Sequence, residues 1–459
     1  MKYIGLDIGT TTISALLIDG ETGRTIQRIT RRNASWVEPS YEYERIQQPD
    51  EIFEICQTIL SELMEGVSDI GGIGLTGQMH GIVYVDKNGM ACSNLITWQD
   101  ERGNSIYRSE DTYCQFMERT GGIPVATGYG LATLFFDTVN NQIPREAVGI
   151  CTISDYVAMR LSGRKKPLVH VSNAASLGLF DPQHLEFRYE TIRLLGIREE
   201  LLPEISKEEC IIGVSGDNIP VAISIGDNQA SFLGSVNAES NILVNIGTGS
   251  QLSALSESYC EIGSLECRPF IDGKFLINGS SLCGGSAYQM LENFFCEVLK
   301  LFQVEPPDNL MKRMDEAAEK ADNTENTGLR VDTRFRGTRK HPELRGSITG
   351  ISTENFTPGH LAYATMKGIC EELYNFYTKL KDIPRPAFLV ASGNGVRNSK
   401  IERKILSEVF GLPIHIPENA EEAAFGAALN AIHAREGRPW EQIQALISYK
   451  DESYNMDGK

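Results

Sequence analysis

A four-residue motif occurs twice in this chain. Asp7-Ile8-Gly9-Thr10 returns as Asn245-Ile246-Gly247-Thr248, 238 residues later in a chain of 459. Apolar residues precede both copies, Ile4 and Leu6 in one, Leu243 and Val244 in the other. Both continue into a second apolar segment, Ser14-Ala15-Leu16 and Ser253-Ala254-Leu255. Alternating apolar residues around a Gly/Thr turn read as strand, turn, strand. Self-similarity at half the chain length therefore reads as two related halves, each opening with that unit. Coincidence between two hairpins is the alternative, because Ile-Gly-Thr is a common string. Roughly 150 residues per domain gives about three domains, and two large α/β domains fit equally. No Pro/Ser-rich linker divides the chain. The boundary is placed just ahead of the second copy, giving units 1–236 and 237–459.

The segments after the repeats fill in an α/β pattern. Residues 13–18 and 24–29 continue the first meander across the turn Asp19-Gly20-Glu21-Thr22-Gly23. Ile52, Phe53, Cys56, Ile59, Leu60, Leu63 and Met64 have helical spacing between Pro49 and Gly66. In the second half, Thr357-Pro358 caps a helix expected to reach Asp382. Residues 398–410 form another, stopped by Gly411. Residues 421–435 form a third, Ala-rich and opened by two acids that suit a helix N-terminus.

Composition removes several function classes. Lys and Arg number 43 against 61 Asp and Glu, a net charge of −18, which repels a phosphodiester backbone. No apolar run approaches the roughly 18 residues of a membrane span, and Asp7 interrupts any signal-peptide core. Nucleic-acid and membrane partners are thus not expected, and the chain reads as cytoplasmic. Ten cysteines without a Cys-x-x-Cys pair, and seven histidines without His-Glu-x-x-His, argue against a disulfide scaffold and structural zinc.

Two Gly/Thr turns brought face to face would offer backbone N–H groups and hydroxyls to phosphate oxygens. The copies differ at one place: a carboxylate, Asp7, stands where the other has Asn245. A carboxylate beside phosphates is tolerated when a divalent cation lies between, so Asp7 is the candidate Mg²⁺ partner. The alternative is a turn-stabilising acceptor. Gly-x-x-x-x-Gly-Lys-Ser/Thr is absent. Gly72-Ile73-Gly74-Leu75-Thr76-Gly77 has the Gly-x-Gly-x-x-Gly spacing but sits in a strand-like run, whereas a dinucleotide fingerprint opens a helix.

Thr76-Gly77-Gln78-Met79-His80-Gly81 and Trp98-Gln99-Asp100-Glu101-Arg102 carry groups suited to a polyhydroxylated ligand. As structural segments they would be a turn, a core Trp98 and a surface Asp100–Arg102 pair. Gly226-Asp227-Asn228 follows an apolar strand expected over 221–225, where a carboxylate can reach into a cleft and take a proton. Its bland reading is an N-cap for a helix starting near Ala230. Ala391-Ser392-Gly393-Asn394-Gly395-Val396-Arg397-Asn398 is a Gly-rich strand-to-helix loop, either a nucleobase platform or an ordinary connection.

In order, these segments, together with Ser154-Asp155-Tyr156, resemble the FGGY carbohydrate kinases of the actin/Hsp70/sugar-kinase superfamily over nearly the whole chain. The resemblance implies an α/β fold of two ribonuclease-H-like domains around a central cleft where ATP and sugar meet. It implies Asp227 as general base, Asp7 at the metal, and Met79, His80, Gln78 and Asp100 at the sugar. Thr10, Thr11, Gly247, Thr248 and Gly249 would hold phosphates, with Gly393, Asn394 and Asn398 near adenosine; this last loop is more polar than the common Gly/Ala version. Residues 127–136 and Cys267-Arg268-Pro269-Phe270-Ile271-Asp272-Gly273-Lys274 resemble the sedoheptulose-kinase group, with xylulose kinases as the nearest rival and other pentulose or polyol kinases behind them. The implied reaction is phosphorylation of a ketose by MgATP at a primary hydroxyl, sedoheptulose giving sedoheptulose 7-phosphate. A non-catalytic nucleotide or sugar sensor on the same fold is the reading from another class. A homodimer is left open.

Overall fold

The computed structural model describes residues 1–237, 240–322, 328–338, 341, 343–381 and 383–450. The opening meander forms as expected: β1 (Lys2–Ile8), β2 (Thr12–Asp19) and β3 (Thr25–Arg32). Helix α1 (Pro49–Met64) starts on its proline and buries Ile52, Phe53, Cys56, Ile59, Leu60 and Leu63. Next come β4 (Ile70–Gly77), β5 (Ile211–Val214), β6 (Pro220–Ala222) and α2 (Asp227–Leu233). The first sheet runs β5-β6-β4-β1-β2-β3, with β1 antiparallel to β2 and parallel to β4. Gly72 to Gly77 thus lie in a strand.

The second half repeats the plan with β7 (Ile242–Ile246), β8 (Ser250–Ser256), β9 (Glu266–Pro269), β10 (Phe275–Ser281) and α3 (Gly285–Leu301). It continues through α4 (Pro358–Tyr377), β11 (Leu389–Ser392), α5 (Lys400–Phe410), β12 (Ile414–His415) and α6 (Glu422–Glu436). Its sheet runs β9-β10-β8-β7-β11-β12, with β7 antiparallel to β8 and parallel to β11. In both sheets an antiparallel meander (β3-β2-β1 and β10-β8-β7) is followed by strands parallel to its first member (β4 and β6; β11 and β12), the duplicated ribonuclease-H-like arrangement; an antiparallel edge strand is added to each, β5 beyond β6 and β9 beyond β10. Among the described residues no helix is long and apolar enough to cross a membrane.

Several sequence expectations need correction. Asp7 pairs with Ser14 across the first hairpin, while Asn245 pairs with Gln251 across the second. The second turn is one residue shorter, so Ser14 corresponds to Gln251 and not to Ser253. The strand expected over 221–225 stops at Ala222. Beyond it the backbone carbonyls bond to side chains: Asn430 Nδ2 donates to Ile223 O at 3.0 Å and Thr76 Oγ1 to Ile225 O at 2.8 Å. Helix α4 ends at Tyr377, and Asp382 lies outside the described residues. The helix expected over 398–410 forms as α5, starting two residues later, after Ser399. A short helix, Asn394–Asn398, ends there, and the Ser399 hydroxyl caps α5 by accepting from Glu402 N.

Helix α6 belongs to the second half by sequence but packs on β1, β4 and α2 of the first. It is buried without a break from Ala424 to Ile432, because it is enclosed on all sides. Small residues let the backbones meet. A Cβ on Gly5 would lie 1.8 Å from Ala424 O, one on Gly74 1.8 Å from Ala427 O, and one on Gly426 1.9 Å from Ala230 O. Gly74→Ala is expected to lower stability by ~3 kcal/mol or more, since backbone rather than a side-chain end must yield. Gly216→Ala, where a Cβ meets nothing within 4 Å, should stay within ~0.5 kcal/mol. Urea-unfolding midpoints of the two variants check this.

Candidate active site

A cleft of about 430 Å³ opens between the halves. The first half lines it with Asp7, Gly9, Thr10, Gln78, Met79, His80, Trp98, Asp227, Asn228 and Ser231. From the second come Asn245, Gln251, Ser253, Leu243 and Ala423. Asp7 is the last-but-one residue of β1, beside Thr76 on β4. Asp227 is the first residue of α2 and Gly226 is the N-cap, which corrects its bland reading. Gly226 is itself fixed, its N–H donating to Ser172 Oγ at 3.0 Å. Burial pushes the Asp227 carboxyl up to about 6 against the pull of the Asn228 N–H and Arg268. Burial, the Asp227 charge and Glu421 raise Asp7 to about 7.

The turn after β4 is tied to the first Gly/Thr loop. Thr10 Oγ1 donates to Gln78 Oε1 (3.3 Å) and accepts from Trp98 Nε1 (3.0 Å). Met79 is buried against the Asp227 corner, its sulfur 4.0 Å from Asn228 Nδ2. His80 has a left-handed backbone, φ 73°, a conformation costing about 1–3 kcal/mol outside glycine. The fold holds it there: its N–H donates to Ser176 Oγ at 3.2 Å, and Nδ1 lies 2.7 Å from Ser176 O. A carbonyl partner assigns the proton to Nδ1. The ring stacks on Tyr129, centroids 4.7 Å apart.

The second phosphate-type loop packs on the start of α3, with Gly285 N donating to Gly247 O at 2.7 Å and Ser286 N to Thr248 O at 2.9 Å. Gly393 has φ 89° and touches the end of β7: a Cβ would lie 2.5 Å from Ile246 O. Gly247, Thr248, Gly249 and Gly393 thus gather at the C-terminal ends of β7 and β11. Asn394 and Asn398 are exposed on the short helix that follows, and Thr11 and Thr248 are exposed on their turns.

The sequence models of two domains match this chain: the N-terminal domain of the FGGY family of carbohydrate kinases over residues 2–234, and its C-terminal domain over 242–435. The chain belongs to the FGGY family of carbohydrate kinases. It is similar to sedoheptulokinase of Mus musculus, 27% identical over 93% of this chain and 96% of that one. It is also similar to glycerol kinase of Aquifex aeolicus, 26% identical over 93% and 88%. The xylulose kinase structure from Rhodospirillum rubrum shares the fold, with a TM-score of 0.84 at 22% identity, covering 100% of this chain and 95% of that one. The protein is therefore a carbohydrate kinase, a phosphotransferase with a sugar hydroxyl as acceptor, in a family that uses ATP.

Within this FGGY kinase, Asp100 stands apart from the cleft lining. Its carboxylate is fully buried and accepts from Arg102 Nε (2.8 Å), Arg102 N (3.1 Å) and Arg45 N (3.1 Å). Arg102 also donates to Asp137 at 2.7 Å. This is a buried ion network supporting the Trp98 segment, not a surface pair. Trp98 is half-exposed in the cleft instead of in the core. Two residues escaped the sequence reading. Gln47 bridges the loops, donating to Thr10 O (3.0 Å) and accepting from Gln78 Nε2 (2.9 Å); no motif marks it. Gln251 Nε2 reaches Asn228 Oδ1 (3.1 Å) from the other half, and its signal was a polar residue following the second repeat.

Both cleft carboxyls have folded pKa values above the ordinary 3.8, so their neutral forms favour folding. That contribution is complete below about pH 4 and is lost as pH rises through 6 and 7. Asp7→Asn or Asp227→Asn, without divalent cation, should stabilise the protein by ~1 kcal/mol or more at pH 8, partial exposure screening the rest. At pH 4 the gain should vanish. Thermal melts at the two pH values check it.

Proposed function

We propose that this kinase transfers the γ-phosphoryl group of MgATP to a primary hydroxyl of a ketose, with sedoheptulose giving sedoheptulose 7-phosphate and Asp227 as general base. The observation that carries the reading is the placement of Asp227 in one cleft with Asp7 and the Gln78-Met79-His80 turn. A carboxyl with a pKa raised to about 6 is ionised at neutral pH yet more basic than an ordinary Asp, which suits a group taking a proton from an attacking hydroxyl. His80, Gln78 and Trp98 would orient the sugar. Thr10, Thr11 and Gly247, Thr248 and Gly249 would approach the phosphates from opposite halves, and Gly393, Asn394 and Asn398 the adenosine.

Among the described residues no group of three or more His, Cys, Asp or Glu is placed to hold a metal. A pair of buried carboxyls, Asp227 raised by burial and Asp7 by burial and the charge of Asp227, nonetheless fits Mg²⁺, which takes most of its ligands from phosphates and water. Bound there, the cation would neutralise developing phosphate charge. Asp7 would hold it, directly or through water, while Asp227 accepts the proton. Because both halves line the cleft, their approach would exclude water that competes with the sugar.

Coupled ADP release with MgATP against D-sedoheptulose, D-xylulose, D-ribulose, L-ribulose, glycerol and no sugar tests the acceptor. The highest kcat/KM is expected with sedoheptulose; preference for xylulose would move the acceptor and keep the base. Asp227→Ala should cut sugar-dependent ADP release by about a thousandfold with ATP affinity retained, and near-normal turnover would remove Asp227 as the base. In the wild type, kcat/KM should fall as pH drops below about 6, where the Asp227 carboxylate takes up its proton.

A further inference from the structure

Strand β9 brings a charged pair from the second half up to the edge of the cleft, near Asp227. It is the edge strand of its sheet and packs against the short helix Val171–Ser176, whose Ser176 holds His80. Its position is fixed by Gln229, two residues beyond Asp227, which donates to Pro269 O at 2.9 Å. Arg268 lies between these anchors, its side chain 16% exposed. Its Nε donates to Glu266 Oε2 at 3.0 Å, and Nη2 bonds to the same oxygen. Arg268 also feels the charge of Asp227 and lies near the Tyr129 phenol, and Tyr129 is the ring stacked on His80.

A lone guanidinium at this place would attract a carboxylate. One already bound to Glu266 has its charge cancelled while further N–H groups remain, and hydroxyl oxygens accept from those equally well. The adjoining cleft lining carries the carboxyls of Asp7 and Asp227 and no Lys or Arg.

We infer that Arg268, held by Glu266, is a specificity-determining residue of the acceptor site: it donates hydrogen bonds to the hydroxyls of an uncharged polyhydroxy chain beside His80 and Tyr129, and its pairing disfavours sugar acids. The inference rests on the proposed reading of this end of the cleft as the acceptor site.

The test compares wild type, Arg268→Gln, Arg268→Lys and Glu266→Gln with the preferred ketose and with D-gluconate as the acidic probe. It measures kcat/KM by ADP release and equilibrium sugar binding by calorimetry. Arg268→Gln should lower kcat/KM for the ketose by about 10–100-fold, mostly through KM, with ATP affinity unchanged. Arg268→Lys, which keeps the charge but not the planar fork, should recover only part. Glu266→Gln should raise the gluconate-to-ketose ratio by about tenfold as the guanidinium charge is unmasked. Ketose kcat/KM within twofold of wild type in Arg268→Gln, or an unchanged ratio in Glu266→Gln, overturns the inference. Should Arg268→Gln fail to fold by thermal melting, the Glu266→Gln ratio decides. Wild-type protein that binds a ketose without phosphorylating it defeats the proposed reaction, and the calorimetric gluconate-to-ketose ratio still decides the role of Arg268.

Discussion

The contact on which the site depends is peptide against peptide. Helix α6 touches the backbone of β1 at Gly5 and of β4 at Gly74, and α2 touches α6 at Gly426 and at Gly234, where a Cβ would lie 2.1 Å from Glu422 O. Close approach of this kind leaves no room for side chains and no slack in distance. Asp7 is two residues beyond Gly5, the Gln78-Met79-His80 turn begins four beyond Gly74, and Asp227 opens the helix that ends at Gly234. One seam of small residues therefore sets the relative positions of both carboxylates and the sugar turn.

A second layer fixes the segment leading into α2. Once β6 ends at Ala222, the N–H groups of Ile223 and Ile225 still bond to Cys210 O and Leu75 O, but the carbonyls there must find other partners. Asn430 and Thr76 take the carbonyls of Ile223 and Ile225, and Ser172 takes the Gly226 N–H. Asp155 acts one step behind them: it accepts from Thr152 Oγ1 at 2.6 Å and from Asn173 Nδ2 at 3.2 Å, and Asn173 follows Ser172. Buried polar groups held this way rigidify a site. The cleft itself bears the opposite cost, two carboxyls raised by burial, Asp7 also by the charge of Asp227, a local destabilisation of the kind that active sites retain.

Much of the architecture was readable because it rests on local rules. Alternation around the Gly/Thr turns, proline at the starts of α1 and α4, and the duplicated motif all depend on neighbours along the chain. Errors appeared where a single hydroxyl, a tertiary contact or a loop length decided. The Ser399 cap moved the start of α5 to Lys400, the side chains of Asn430 and Thr76 took carbonyls beyond β6, and a turn shortened by one residue moved the equivalence of Ser14 from Ser253 to Gln251. Gln47 left no mark in the sequence because its side chain joins Thr10 to Gln78, residues far from it along the chain.

The sequence by itself determined that the chain has two related halves, and its ordered motifs carried the resemblance to the FGGY kinases. Only the tertiary structure decided which candidates share a cleft. It brought Asp7, Asp227, Gln78, Met79 and His80 together, gathered Gly247 to Gly249 with Gly393 on the other half, and sent Asp100 into a buried ion network with Arg102 and Asp137. The reason is physical: residue type and spacing state what a side chain can do, whereas its partners are chosen by packing between segments hundreds of residues apart.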